Sequence, residues 1–121
     1  MSVRQSFAFA WTGVRHILAN ERNARIHVAV ALLAIVAGIV LQLSAEELSA
    51  VVFAIMAVFL AEIFNSAIEK TLDIVEPGHH EQVKLVKDMA AGAVLVAAVG
   101  AVLIGLIVFG PHLWETFWPA Q

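Results

Sequence analysis

The chain has 121 residues, of which 61% are hydrophobic and only 14% are charged, and its mean hydropathy is +0.89. A soluble domain of this size usually has about a quarter charged residues, so the composition indicates a single-domain membrane protein. The net charge of −3 provides no basic surface for a nucleic acid. The absence of cysteine excludes disulfides, thiolate metal sites and a cysteine nucleophile.

Residues 2–20 are predicted to form an amphipathic helix. Its apolar side chains recur at spacings of four, three and four residues: Phe7, Trp11, Val14 and Leu18. This pattern is typical of a helix that lies in the membrane interface with its apolar side towards the lipid. A water-facing helix that packs on the outside of a bundle is the alternative that the pattern leaves open.

Three apolar segments follow, and each is predicted to cross the membrane as a helix. They cover about residues 26–43, 48–75 and 85–109. The first is close to the lower limit of about 17 residues for a span. The predicted fold is therefore an all-α integral membrane protein with an N-terminal interfacial helix and three transmembrane helices.

The boundaries of the second and third segments carry recognisable signals. Ser44 and Glu47 form a predicted capping box that starts the second helix. Pro77-Gly78 is predicted to end that helix, and Gly110-Pro111 is predicted to end the third.

The orientation follows from the seven basic residues. All of them precede the first span or lie near the connection between the second and third: Arg4, Arg15, Arg22, Arg25, Lys70, Lys84 and Lys87. The positive-inside rule therefore predicts a cytoplasmic N-terminus, a cytoplasmic 70–88 segment and an outer C-terminus. The aromatic side chains near the C-terminus would anchor the chain at the outer interface: Trp114, Phe117 and Trp118.

A stripe of polar residues begins inside the second apolar segment. Glu62, Asn65, Glu69 and Asp73 follow one another at steps of three, four and four, within an arc of roughly 80° on a helix. A carboxylate at the level of the lipid normally marks a working site, and Glu62 could be a general base for a hydroxyl group. Glu69, nearer the water, could hold a hard cation such as Mg²⁺. A structural hydrogen bond between helices is the alternative for Glu62.

Charged residues on the same cytoplasmic side could bind a soluble anion. Lys84 and Lys87 could neutralise phosphate oxygens, and Asp88 could support Lys87 or bind a nucleotide hydroxyl. An interfacial charge pair is the alternative for Lys87 and Asp88. Glu21 is on the correct side to join a cation site with Glu69, although it could instead be a surface partner of neighbouring arginines.

Two motifs together resemble the prokaryotic diacylglycerol kinase family, which includes the undecaprenol kinases. The first is Glu62-x-x-Asn65-Ser66-Ala67-Ile68-Glu69-x-x-x-Asp73, and the second is Lys87-Asp88-Met89-Ala90-Ala91-Gly92-Ala93-Val94-Leu95. Trp11-Thr12-Gly13-Val14-Arg15 and Asn20-Glu21 look like the surface helix of that family and its connection to the first span.

The resemblance implies a homotrimer of three-span subunits in the bacterial cytoplasmic membrane. Such an enzyme transfers the γ-phosphate of ATP to a lipid alcohol at composite sites between subunits. By position, Glu62 would be the general base, and Glu21 and Glu69 would be the Mg²⁺ ligands. The residues that would bind the nucleotide are Glu21, Glu69, Asp73, Gly78, His79, His80, Lys87 and Asp88. The supporting or substrate-contacting residues would be Asn65, Trp11, Arg15 and Arg25.

The acceptor and one alternative function remain open at the level of sequence. The segment from Glu21 to His27 looks more like the undecaprenol kinase branch, but diacylglycerol remains a second acceptor. The alternative is a small oligomer that conducts ions or protons along the carboxylate stripe. The almost wholly apolar stretch from Leu48 to Ala61 and the cytoplasmic lysines argue against it.

Overall fold

The computed structural model describes residues 1–121 and consists of four helices. These are α1 (Val3–Asn20), α2 (Arg22–Val40), α3 (Ala45–Val75) and α4 (Glu81–Phe117). The last three are each long and apolar enough to cross a membrane. The prediction of an all-helical membrane protein with three membrane helices is therefore confirmed, whereas the interfacial position of α1 stays a prediction.

Helices α1 and α2 meet at a corner formed by Glu21. Its extended backbone, with φ −104° and ψ 114°, interrupts the helical path between them. From the first turn of α2, Arg25 donates hydrogen bonds to the carbonyls of Leu18 and Ala19, at 3.3 and 2.9 Å. Because the last carbonyls of a helix have no partner within it, this guanidinium completes the end of α1 and fixes the corner.

The first span differs from its predicted limits at both ends. It begins at Arg22 rather than at residue 26, because the charged lead-in is helical too, and it ends at Val40 rather than at 43. Gln42 adopts the left-handed conformation with φ 58°, which turns the chain out of the helix. The amide of Leu43 then donates to the carbonyl of Gly38 at 3.0 Å. A Cβ at Gly38 would lie 3.0 Å from Leu43 Cδ1, so glycine permits this close return.

The predicted capping box at the start of α3 is confirmed. The hydroxyl of Ser44 accepts from the amide of Glu47 at 3.1 Å, and the Glu47 carboxylate accepts from the amide of Ser44 at 2.9 Å. The helix then continues for 31 residues and ends at Val75, just before Pro77-Gly78 as predicted. It carries the whole polar stripe without interruption.

The predicted end of the third span at Gly110-Pro111 is wrong, because α4 continues through Pro111 to Phe117. Proline lacks the amide hydrogen that would bond the carbonyl of Ile107, which is why it suggests a helix end. The turns beyond it gain other interactions. His112 bonds to Glu47 of α3, and the rings of Trp114 and Trp118 stack with their centroids 5.2 Å apart.

Helices α3 and α4 form an antiparallel pair that is tied near both ends. Lys87 contacts Asp73 at 2.6 Å next to the connecting turn, and His112 contacts Glu47 at 3.0 Å at the opposite end. The two ties are separated by nearly the same number of residues on each helix, about 38 Å of helix rise. The pair therefore keeps one register along its length. Helix α2 packs on α3, and α1 contacts both α2 and α3.

The contact between Glu47 and His112 predicts that substitutions of two adjacent carboxylates change the unfolding temperature by different amounts. Glu47→Gln should lower the unfolding temperature in lipid or detergent by a few degrees, because the neutral amide accepts weaker hydrogen bonds from His112 and from the Ser44 amide. Glu46→Gln removes the same charge from the same helical turn without touching these bonds, so it should leave that temperature almost unchanged. Equal shifts for the two variants would show that the tie contributes no stability of its own.

Candidate active site

The buried face of α3 changes from apolar to polar along its length. Its buried residues recur at spacings of three or four: Val51, Ala54, Val58, Glu62 and Ser66. The same helix face that packs on the neighbouring helices thus ends in a carboxyl group and a hydroxyl group. This change occurs in the half of α3 nearer the connection to α4.

Glu62 is the most deeply buried ionisable side chain of the chain, with 4% of its surface exposed. No hydrogen bond or ion pair to its carboxylate is present, so the structure offers no support for the structural hydrogen bond left open by the sequence. One turn on, the side-chain oxygen Oδ1 of Asn65 is also buried and without a partner. Buried polar groups are normally hydrogen-bonded, so a buried carboxyl residue beside an unpartnered amide oxygen makes this face a candidate site.

The charged residues nearer the connecting turn form a second group. Glu69 is half-buried and makes no hydrogen bond or ion pair in the chain, whereas Asp73 receives a hydrogen bond from Lys87 of α4. Asp88 bonds to Lys84 on its own helix. The suggestion that Asp88 supports Lys87 is therefore wrong, because Lys87 turns across to α3 instead.

The pairing of Lys87 with Asp73 has little effect on stability by itself. The side chains are 34% and 65% exposed, and ion pairs of this kind typically contribute about 0–1 kcal/mol. The pair holds the Lys87 ammonium group and the Asp73 carboxylate at the same end of the bundle as Glu69. A lysine in this position can neutralise phosphate oxygens.

The predicted site residues of α1, its corner and α2 differ in exposure and in their hydrogen bonds. Glu21 is half-buried at the corner between α1 and α2, which lies at the same end of the bundle as the end of α3. Arg25 is engaged with carbonyls of α1, so it has a structural role whatever else it contacts. Trp11 and Arg15 are exposed on α1 and have no polar partner in the chain.

The connecting turn after α3 presents Gly78, His79 and His80 to the solvent. His80 is the N-cap of α4, and its Nδ1 accepts from the amide of Gln82 at 3.1 Å, which leaves Nε2 as the nitrogen that can donate. A cavity of about 260 Å³ adjoins this turn. Its lining residues are Leu72, Val75, Glu76, His80, Gln82, Val83 and Val86.

The chain contains no cluster of three or more acidic or histidine side chains that could enclose a metal ion. Mg²⁺ does not need such a cluster, since it is usually bound by one or two carboxylates together with substrate phosphates and water. The half-buried carboxylates of Glu21 and Glu69 are of the required type, and neither has an ion-pair partner. The donor set therefore fits a metal that arrives with a phosphorylated substrate.

Ser66 is the buried polar residue that the predicted site left out. Its exposed fraction is only 2%, and it follows Glu62 by four residues. That spacing was visible in the sequence, but serine is common enough in helices that it did not stand out beside the carboxylates. Its burial separates it from the other hydroxyl residues of the chain.

Comparison with known proteins identifies the family of this three-span chain. The family model for prokaryotic diacylglycerol kinase matches residues 8–109. The chain belongs to this family, and it is therefore a lipid kinase of the diacylglycerol or undecaprenol kinase type. The family assignment supports the kinase interpretation over a conducting oligomer.

Three relatives illustrate the range of the family. An undecaprenol kinase of Bacillus subtilis is 38% identical over 109 residues, which cover 90% of this chain and 89% of the relative. A diacylglycerol kinase of Escherichia coli is 34% identical over 104 residues, 86% of this chain and 85% of the relative. A diacylglycerol kinase of Synechocystis is 38% identical over 109 residues, 89% of this chain but only 62% of that longer relative.

The missing partner of Glu62 predicts that a change at this position stabilises the protein. Glu62→Met should raise the free energy of unfolding by about 1–2 kcal/mol, because it replaces a buried, unpaired carboxyl group by an apolar side chain of similar size. Glu69→Met is the matched control. It should change the free energy of unfolding little, since Glu69 is only half-buried. A clear destabilisation by Glu62→Met, measured by chemical or thermal unfolding in lipid, would reveal a structural partner.

Proposed function

We propose that the protein transfers the γ-phosphate of ATP to the hydroxyl group of a membrane lipid, with Glu62 as the general base. The observation that carries this proposal is the burial of Glu62, which has no hydrogen-bond or ion-pair partner in the chain. Glu62 lies roughly 20 Å along α3 from the start of its apolar part, in the inner part of a hydrocarbon core about 30 Å thick. A lipid hydroxyl can reach this depth, whereas a soluble acceptor cannot.

The chemical step needs one proton acceptor and one electrophile. The carboxylate of Glu62 accepts the proton of the lipid hydroxyl while the oxygen forms a bond to the γ-phosphorus. The bond from that phosphorus to the oxygen bridging the β- and γ-phosphates breaks, and ADP leaves with the bridging oxygen. The side-chain amide of Asn65, one turn along the stripe, would hold the hydroxyl or the phosphoryl group.

The polar end of the stripe would bind the nucleotide. Glu69 lies about 10 Å of helix rise beyond Glu62, which leaves room for a phosphoryl group between them. Glu69 and Glu21 would hold Mg²⁺, which neutralises charge on the phosphates when it is bound. Lys87, positioned by Asp73, would contact phosphate oxygens, and Asp88 would contact the nucleotide.

The connecting turn would contact the rest of the nucleotide. Gly78 and His79 are exposed there, and the free Nε2 of His80 can donate to an acceptor beside the adjoining cavity. Trp11 and Arg15 of α1 would approach the lipid headgroup if α1 lies in the interface. This arrangement requires the N-terminus and the turn to be cytoplasmic, in agreement with the distribution of basic residues.

We further propose a homotrimer in which neighbouring subunits complete each site. One subunit leaves Glu69 half-buried and provides no third metal ligand beside it. Helices α2, α3 and α4 also enclose an apolar groove of about 870 Å³, lined by 22 residues of which 20 are hydrophobic. Self-association through such surfaces would enclose the polar stripe from the side that a single chain leaves open.

Glu62→Gln should reduce turnover to background while ATP still binds, because the amide cannot accept the hydroxyl proton. Glu69→Gln, the matched change two turns along the same helix face, should instead raise the Mg²⁺ concentration needed for half-maximal activity. Both are measured as transfer of labelled phosphate to lipid, with nucleotide binding followed separately. Near-normal turnover of Glu62→Gln would show that another group is the base.

The acceptor is tested by label transfer from ATP to undecaprenol and to diacylglycerol in the same membranes. Relatives that carry either name match this chain at 38% identity, and the segment from Glu21 to His27 favours undecaprenol. We therefore expect faster transfer to undecaprenol. Faster transfer to diacylglycerol would reverse this assignment, and no transfer to either lipid would contradict the proposed function.

A further inference from the structure

Ser66 differs from every other helical hydroxyl residue in this chain. Five of the six serine and threonine side chains inside helices donate to the carbonyl four residues earlier, at 2.7–3.3 Å. These are Ser6, Thr12, Ser49, Thr71 and Thr116. Ser66 makes no such bond, although this is the usual way for a hydroxyl within a helix to satisfy its hydrogen.

Ser66 also differs from the other helical hydroxyl residues in its burial. It is the most buried polar residue of the chain, with 2% of its surface exposed, whereas the five residues that bond to their own backbone are exposed. A buried hydroxyl without a partner is unfavourable, so its hydrogen needs an acceptor close by.

The nearest acceptor along the helix is the carboxylate of Glu62. Residues four apart on a helix are neighbours on one face, with Cβ atoms about 5–6 Å apart. The Cα–Cβ bond of each helical residue tilts towards the N-terminus, so the Ser66 side chain is directed at the turn that carries Glu62. Glu62 in turn lacks a donor in the structure.

Few groups on the two longest helices could donate to Glu62. The part of α4 level with Glu62 lies in the stretch from Met89 to Phe109, which contains no hydrogen-bonding side chain. On α3 itself, the donors within one turn are Asn65 and Ser66.

We propose that Ser66 is a positioning residue, whose hydroxyl donates a hydrogen bond to the Glu62 carboxylate and holds it towards the lipid hydroxyl. This assignment rests on the proposed role of Glu62 as the base. The hydrogen bond leaves the second oxygen of the carboxylate free to accept the proton of the lipid. Asn65 then remains available for the substrate.

The test compares Ser66→Ala and Ser66→Cys with Ser49→Ala as the matched control. Cysteine keeps nearly the volume of serine but is a weak donor, and Ser49 is a hydroxyl residue of the same helix that bonds to its own backbone. Phosphate transfer to lipid is measured at varied ATP, together with the unfolding temperature. Both Ser66 variants should lose about tenfold or more in kcat with an almost unchanged KM for ATP, the loss expected when one hydrogen bond to a charged group disappears.

The outcomes separate the role of Ser66 from the role of Glu62. If Ser66→Cys keeps the wild-type kcat, or if KM for ATP rises in step with the loss, the hydroxyl is not a positioning group. Glu62→Gln is measured beside these variants. If it is inactive while both Ser66 variants are fully active, only the assignment of Ser66 fails. If Glu62→Gln is active, the proposed base is wrong and the assignment of Ser66 fails with it.

Discussion

The antiparallel pairing of α3 with α4 is the constraint on which the rest of the molecule depends. Contacts near both ends, between Asp73 and Lys87 and between Glu47 and His112, mark the register of the two longest helices. The short connection between Val40 and Ala45 sets which part of α2 lies beside α3. The small number of long-range polar contacts means that apolar packing, not charge, holds the bundle between its ends.

This register has a chemical consequence. It places Glu62 and Ser66 opposite a stretch of α4 that contains no hydrogen-bonding side chain. The carboxyl group and the hydroxyl group therefore find no partner on α4, an arrangement that destabilises the folded state. Unsatisfied buried polar groups persist where a function requires them. The polar residues nearer the turn are the ones proposed to bind the anionic substrate.

Several elements could be predicted from sequence because their causes are local. The capping box of Ser44 with Glu47 and the end of α3 before Pro77-Gly78 depend on residues within a few positions of each other. The three membrane helices follow from runs of apolar side chains that only a lipid environment accommodates. The polar stripe of α3 was visible because helical periodicity places Glu62, Glu69 and Asp73 on one face.

Other features could not be predicted because they depend on residues far apart in the chain. The local signal of Gly110-Pro111 indicated a helix end, but α4 continues to Phe117. Beyond the proline, His112 contacts Glu47, which lies 65 residues away in the sequence. Similarly, Lys87 pairs with Asp73 rather than with the adjacent Asp88, because the α3–α4 register brings that carboxylate within reach.

The sequence by itself determined the class of protein, its helices and the residues of the stripe, since composition, periodicity and family motifs depend only on the order of residues. Only the tertiary structure decided which of these polar groups are buried and which have partners. Burial depends on the helices that pack around each side chain, and on that evidence Ser66 joins Glu62 as a polar group without a partner within the bundle.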